Sequence, residues 1–383
     1  MNLSERSALP PFYAMDVLAE AQELTRTGRD IVHMEVGEPS HPAPLAARSR
    51  LVDAMQRGDG LGYTSGLGIP ELRNAIASLY RDRHGLEIDP ARVVVTAGSS
   101  AGFVISFLAL FDPGNRLAMV EPGYPCYRNV ASSLGLKTVA LRATLADRYQ
   151  PTADLLSAHS NLNGLLIASP ANPTGTMIAA DRMRDLIAHC KDTGIALISD
   201  EIYHGLTYET PAFSALEANE EVVVINSFSK YWSMTGWRIG WMIVPERLVR
   251  PCQNLAQNLF ICPSHASQVA ALGALSDEGM AEVEPYIAEY SKNRSALMEA
   301  LPKLGFHDIA PSDGAFYIYA SIEKFGENSQ QFCRRLLHEA GVAATPGIDF
   351  DPTRGDQTIR LSYAQSPAVI SEGISRLSSL LKD

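Results

Sequence analysis

Lys230 lies in the string Ser227-Phe228-Ser229-Lys230, and Arg238 follows eight residues later in Ser233-Met234-Thr235-Gly236-Trp237-Arg238-Ile239-Gly240. A lysine amine can condense with an aldehyde to give a Schiff base. Neighbouring serine hydroxyls and a guanidinium can hold a phosphate, the guanidinium through paired hydrogen bonds. Together these groups suit an aldehyde cofactor that carries a phosphate, pyridoxal 5'-phosphate (PLP). A lone lysine is ordinarily a solvated surface charge. Such a cofactor would also need an acid beside its pyridine nitrogen, further phosphate donors, a ring clamp and an anchor for the substrate carboxylate.

Each has a candidate. Asp200, in Ile198-Ser199-Asp200-Glu201-Ile202-Tyr203, could pair with a pyridinium, since an unpaired buried carboxylate is costly; by itself it reads more readily as a helix N-cap. Asn172, in Ser169-Pro170-Ala171-Asn172-Pro173-Thr174-Gly175, could bond a ring oxygen or simply shape a turn. Gly98-Ser99-Ser100 stands between a strand-like and a helix-like run, where main-chain N–H groups and hydroxyls attract an anion or cap the helix. Tyr124, in Glu121-Pro122-Gly123-Tyr124-Pro125, is a ring clamp or a core tyrosine. Arg360, in Ile359-Arg360-Leu361-Ser362, requires an anion: a substrate carboxylate or a structural ion pair. His33 and His41 fit surface or packing roles.

In their order along the chain these strings resemble class I/II PLP-dependent aminotransferases, of PLP fold type I. The resemblance runs from about Met15 to Ile374. It rests on the Lys230 string, Asp200-Glu201-Ile202-Tyr203, and the seven residues Ser169–Gly175. It implies that Lys230 holds the cofactor and acts as general base, with Asp200 and Tyr124 beside it as catalytic residues. It implies cofactor contacts from Ser99, Ser100, Asn172, Tyr203, Ser227 and Arg238. Arg360, Asn172 and Gly37 (in Val36-Gly37-Glu38-Pro39) would bind the substrate carboxylate. Tyr63 would reach the phosphate of a neighbouring subunit, which implies a homodimer with shared sites. The expected activity is amino transfer from an amino acid to a 2-oxo acid by a ping-pong mechanism. A C–S β-lyase or decarboxylase on the same fold would share the cofactor contacts. A PLP-sensing regulator would carry a DNA-binding domain ahead of Gly37, and none is expected here. Aspartate-preferring members often carry a lysine where this chain has Ser100. Phe12 and Tyr13 fall in a segment that often covers the pocket. Neutral or aromatic donors are therefore expected.

The elements that must position these residues alternate. Short apolar runs at 93–96, 117–120, 165–167, 196–198, 222–225 and 239–244 predict strands. Helical spacing predicts helices over about 102–111 and 181–190. This alternation predicts an α/β fold with a mostly parallel central sheet. Ser99, Tyr124, Asn172, Asp200 and Ser227 all follow strand ends, where open parallel sheets bind ligands. The last third predicts a long helix over 281–301, a strand at 315–320, a helix at 329–340, a strand at 359–363 and a final helix to Leu381. The expected division is a large PLP-binding domain, 46–280, and a smaller α+β domain formed by 1–45 with 281–383, packed closely together.

The 383 residues are 46% apolar and 20% charged, with a net charge of −11. That composition suits a large globular core and argues against nucleic-acid binding. Five scattered cysteines form no C-x-x-C pair, so reduced cytoplasmic thiols are expected rather than a metal site. Neither a signal peptide nor an apolar run long enough for a bilayer is visible.

Overall fold

A computed structural model describes residues 3–382. Its centre is a seven-stranded sheet. The strands are β1 (Val93–Thr96), β2 (Arg116–Glu121), β3 (Lys137–Arg142), β4 (Gly164–Ala168), β5 (Ala196–Asp200), β6 (Val223–Ser227) and β7 (Gly240–Ile243), in the spatial order β1-β7-β6-β5-β4-β2-β3. Pairs within β3-β2-β4-β5-β6 are parallel, and β7 alone runs antiparallel to both its neighbours, β1 and β6. Most of the sheet is enclosed: edge strand Val93–Thr96 and inner strand Val223–Ser227 are buried at every position. Helices cover both faces, which is why alternation of polarity is lost there.

This topology explains where the candidate residues meet. The C-terminal ends of the parallel strands lie on one rim. Asp200 ends β5, Ser227 ends β6, and Asn172 and Tyr124 follow β4 and β2 by a few residues. Because β7 is antiparallel, its beginning lies on the same rim, with Gly240 opposite Ser227. Arg238, two residues earlier, is therefore delivered to that rim too.

Some boundaries differ from expectation. The helix expected from about Gly102 starts at Gly98 and runs to Leu110. Ser99 and Ser100 thus form its first turn rather than a preceding loop. Gly98 makes this entry possible, with φ at +74° and Arg238 Nη2 only 2.5 Å from where a Cβ would stand. Strand β3 was not anticipated; it is a half-exposed edge strand whose short apolar run, Val139-Ala140-Leu141, is flanked by exposed Lys137, Thr138 and Arg142. The helix expected at 329–340 is α-helical over Ser329–Arg335 and then widens to a π turn, Leu336–Ala340.

The remaining elements build a second layer. Strands β8 (Tyr317–Ser321), β9 (Thr345–Pro346) and β10 (Thr358–Ser362) form an antiparallel sheet in the order β9-β10-β8. The helix Asp277–Lys303 spans 27 residues and packs against the final helix, Pro367–Leu381. The pair Val32–His33 and Val342–Ala343 ties the N-terminal segment to this layer. One buried apolar cluster includes Ile76 and Val224 of the central region together with Phe316 and Leu361. The two layers therefore share a core, as the lack of a flexible linker implied.

Candidate active site

A cavity of about 560 Å³ opens between the sheet rim and the second layer. Ten of the twelve expected site residues line it: Gly37, Ser99, Ser100, Tyr124, Asn172, Asp200, Tyr203, Lys230, Arg238 and Arg360. Two do not. Tyr63 is 87% exposed, away from this cavity. Ser227 is fully buried, and its hydroxyl donates to the Ile239 carbonyl at 2.9 Å and accepts from Ser229 N at 3.1 Å. Ser229, two residues on, lines the cavity instead. As the last residue of β6, Ser227 turns its side chain under the loop rather than into the opening.

At one end lies Asp200. Its carboxylate is 3% exposed, accepts from Ile202 N at 3.1 Å, and receives the Tyr127 hydroxyl. Burial raises its pKa to about 6, against the opposing effects of those two bonds and of Lys230. A buried carboxylate with no cation bonded to it can take a cationic ring nitrogen. At the other end stands the helix Gly98–Leu110, whose first turn has no side-chain cap. Its unpaired N–H groups attract an anion. Arg238 adds a guanidinium that is bonded only at Nη1, to the Thr235 carbonyl at 2.8 Å. Lys230 lies between these ends, its Nζ donating to the Gly37 carbonyl at 2.6 Å. Desolvation, with help from Arg360 and Arg238, lowers its pKa to about 8 in spite of Glu38 and Asp200.

Arg360 occupies the middle of β10, opposite Thr345 and Tyr319. Its Nη1 donates to Asn172 Oδ1 at 2.9 Å, its Nη2 to the Glu35 carbonyl and to Thr345 Oγ1 at 3.2 Å, and its Nε has no partner. The guanidinium is flanked by the rings of Tyr317 and Phe350, at 4.5 and 4.7 Å. Among the described residues no carboxylate is bonded to it, so the structural ion pair is not formed there and an anion can be received. Gly37 is required here by space: a Cβ would stand 1.7 Å from the Tyr317 hydroxyl. Tyr203 meets that same hydroxyl at 2.8 Å.

The set fits PLP. An uncapped helix start and Arg238 suit the phosphate, Asp200 suits the ring nitrogen, and Lys230 can reach a carbonyl between them. Sequence reasoning missed Tyr127, Tyr317 and Glu38, all of which line the cavity. Tyr127 had one available signal, its place three residues after Tyr124, which is the N-cap of the helix Pro125–Ser133.

Glu201, next to Asp200, serves the scaffold. It is buried, bonded by Ala215 N, Ser214 and Ser199, and burial raises its pKa to about 8 from the ordinary 4.5. The folded state therefore keeps a proton that the unfolded chain releases. That contribution to stability is complete below about pH 4.5 and is lost as pH rises through about 8. Glu201→Gln should abolish this loss, so its melting temperature should overtake the wild type's between pH 5 and 8. Parallel melting curves across that range would exclude a raised Glu201 pKa.

Comparison with known proteins places this geometry. The model of the family "Aminotransferase class I and II" matches residues 29–377. A valine–pyruvate aminotransferase of Mycobacterium tuberculosis is 46% identical over 98% of this chain and 97% of its own length. An aspartate aminotransferase of Thermotoga maritima is 30% identical over 98% of each. The crystal structure of an aminotransferase from Mycobacterium tuberculosis superposes with a TM-score of 0.97 at 45% identity, covering 100% of this chain and 99% of that one. The aspartate aminotransferase from Thermus thermophilus with maleate superposes with a TM-score of 0.94 at 30% identity, covering 100% of both.

Proposed function

This chain belongs to the class I and II aminotransferases, which move an amino group between an amino acid and a 2-oxo acid, and we propose that it holds PLP in the cavity around Lys230 and draws on neutral, apolar amino acids as donors. Ser99, Ser100, Ser229 and Arg238 take the phosphate, with Ser227 bracing that loop from beneath. Asp200 takes the ring nitrogen, Tyr124 the ring face, and Asn172 and Tyr203 its oxygen. We also propose the division into a large domain, 46–280, and a small one, 1–45 with 281–383.

Bound PLP supplies the carbonyl that receives the nitrogen and a ring that withdraws electrons from the substrate Cα. Asp200 keeps the ring nitrogen protonated. Arg360, with the Gly37 main chain and Asn172, holds the substrate carboxylate. Lys230 Nζ would take the proton from the substrate Cα and hold it for return to the cofactor. Its lowered pKa leaves a usable share of neutral amine near neutrality. Product release before the second substrate enters gives ping-pong kinetics.

One observation carries the donor preference. The cations lining the cavity are Lys230, Arg238 and Arg360, and each already has a role, while Phe12, Met15, Val36 and the neutral Ser100 form other parts of the wall. A second carboxylate would be desolvated without a partner. The valine–pyruvate relative supports the same choice. The test is kcat/KM for alanine, valine, methionine, phenylalanine and aspartate, with pyruvate as fixed acceptor. Aspartate should be the poorest by tenfold or more. If aspartate leads by tenfold, about 1.4 kcal/mol, the proposal fails.

We further propose a homodimer. Tyr63 neighbours a groove of about 970 Å³ lined by Leu45, Ala46, Leu61 and His265. Leu45, Met55 and Ile261 are also more than half exposed in that region. A second copy would cover these residues and bring Tyr63 to the partner's phosphate site. Sedimentation should give twice the chain mass; a monomer at micromolar concentration would reject the dimer.

A further inference from the structure

The helix Tyr13–Arg26 supplies one wall of the cavity through Ala14 and Met15, and Phe12 stands at its N-cap position. Phe12 has no side-chain cap to offer. The helix is fully buried only at Ala14 and Ala21, with Val17 and Leu24 packed partly buried beside Ala21 towards its C-terminal half. Its first-turn N–H groups are instead paired from across the fold. Asp349 Oδ1 accepts from Tyr13 N at 3.3 Å, and Oδ2 accepts from Ala14 N at 3.1 Å. A carboxylate is favoured at this positive end of a helix. Asp349 is 1% exposed, and the charges of Arg360 and Arg128 stabilise its carboxylate from nearby without a hydrogen bond to it among the described residues. Arg128 lies close but donates to the Asp349 main-chain carbonyl, not to the carboxylate.

Asp349 closes a turn, Gly347–Asp349, that cannot easily shift. A Cβ on Gly347 would stand 2.0 Å from Thr358 Oγ1, and one on Gly355 would stand 2.2 Å from the Gly347 carbonyl oxygen. The next residue, Phe350, packs its ring on the Arg360 guanidinium and accepts from Gly123 N at 3.0 Å. One rigid turn thus touches the carboxylate anchor, the loop that bears Tyr124, and the helix that bears the apolar wall. Phe12 in turn meets the Tyr124 ring edge-on at 6.0 Å.

We propose that Asp349 is a specificity-determining positioning residue: by capping the helix Tyr13–Arg26 it sets the apolar wall at a fixed distance from Arg360, where a bulky apolar donor side chain packs. This rests on the proposed preference for neutral, apolar donors. A large side chain needs the wall, whereas alanine, held mainly by its carboxylate and amine, does not. Asp349 does not line the cavity, so it acts through binding and not through the proton transfer.

The test uses PLP-loaded wild type, Asp349→Ala and Asp349→Asn, with KM and kcat for phenylalanine and alanine against pyruvate. In Asp349→Ala, KM for phenylalanine should rise about tenfold or more, KM for alanine less than about twofold, and kcat for either less than about twofold. Asp349→Asn keeps one acceptor and should fall between. Hydrogen exchange at Tyr13 and Ala14 should quicken in both variants. Equal KM increases for the two donors would overturn the proposal, as would unchanged phenylalanine kinetics once those amides have lost protection. Should Asp349→Ala fail to fold, Asp349→Asn and Phe12→Ala decide, and both should raise the phenylalanine KM selectively. A wild type that does not favour apolar donors rejects the proposed donor class. A wild type that favours them, with variants that do so equally, rejects only the role of Asp349.

Discussion

Lys230→Ala should abolish amino transfer, lowering turnover by roughly 10⁴-fold or more while PLP still binds. General acid–base catalysis alone contributes about 10²–10⁴-fold, and the same amine also forms the covalent attachment. The variant should nevertheless retain the cofactor without a covalent bond. The uncapped start of the helix Gly98–Leu110, Arg238 and Asp200 are all independent of the lysine side chain. Folding should be little affected, because the Lys230 amine has a single protein hydrogen bond, to the Gly37 carbonyl. Borohydride reduction of the loaded wild type followed by peptide mapping identifies the attachment point. A label on any other lysine would refute the assignment. Retained turnover in Lys230→Ala would refute the role as base.

Asp200→Ala should lower the single-turnover rate by about 10²–10³-fold, the range found when one preorganised electrostatic group is removed. The carboxylate holds the charge that keeps the ring nitrogen protonated, and alanine offers none. A loss under tenfold, about 1.4 kcal/mol, would exclude the role. Stability supplies a second readout. Burial raises the Asp200 pKa to about 6 from the ordinary 3.8. In the cofactor-free protein its contribution is therefore full below about pH 3.8 and lost as pH rises through about 6. A bound cationic ring offsets that loss by pairing with the ionised carboxylate. PLP should thus raise the melting temperature more at pH 7.5 than at pH 5.5, and Asp200→Ala should flatten the difference. A pH-independent increment in the wild type would show that Asp200 does not meet the ring nitrogen.

The chain by itself determined the chemistry on the sheet rim. Lys230, Asp200, Asn172, Ser99 and Arg238 are each carried by a short string at or near a strand end. In a parallel sheet those ends share an edge whatever lies between them, so local pattern and strand order suffice. The apolar runs identified most strands for a related reason: strands covered on both faces are apolar throughout. Strand β3 escaped because it is half-exposed, with Lys137, Thr138 and Arg142 flanking a short apolar run.

Only the tertiary structure decided matters of direction and distance. Ser227 and Ser229 are equivalent as hydroxyls in sequence, yet one turns beneath the loop and the other into the cavity. Residues two apart on a strand face the same way, but β6 ends at Ser227, so the turn that follows re-aims Ser229. Tyr127 and Glu38 carry no motif of their own and become visible only by what they face. The longest reach is hardest to read. Arg360 meets the Glu35 carbonyl 325 residues away in sequence, and Asp349 caps Ala14 across 335. Those contacts arise because β10, the turn at Gly347 and the N-terminal segment pack into one layer. The pairings that build that layer are set by burial of many side chains at once, which no local string records.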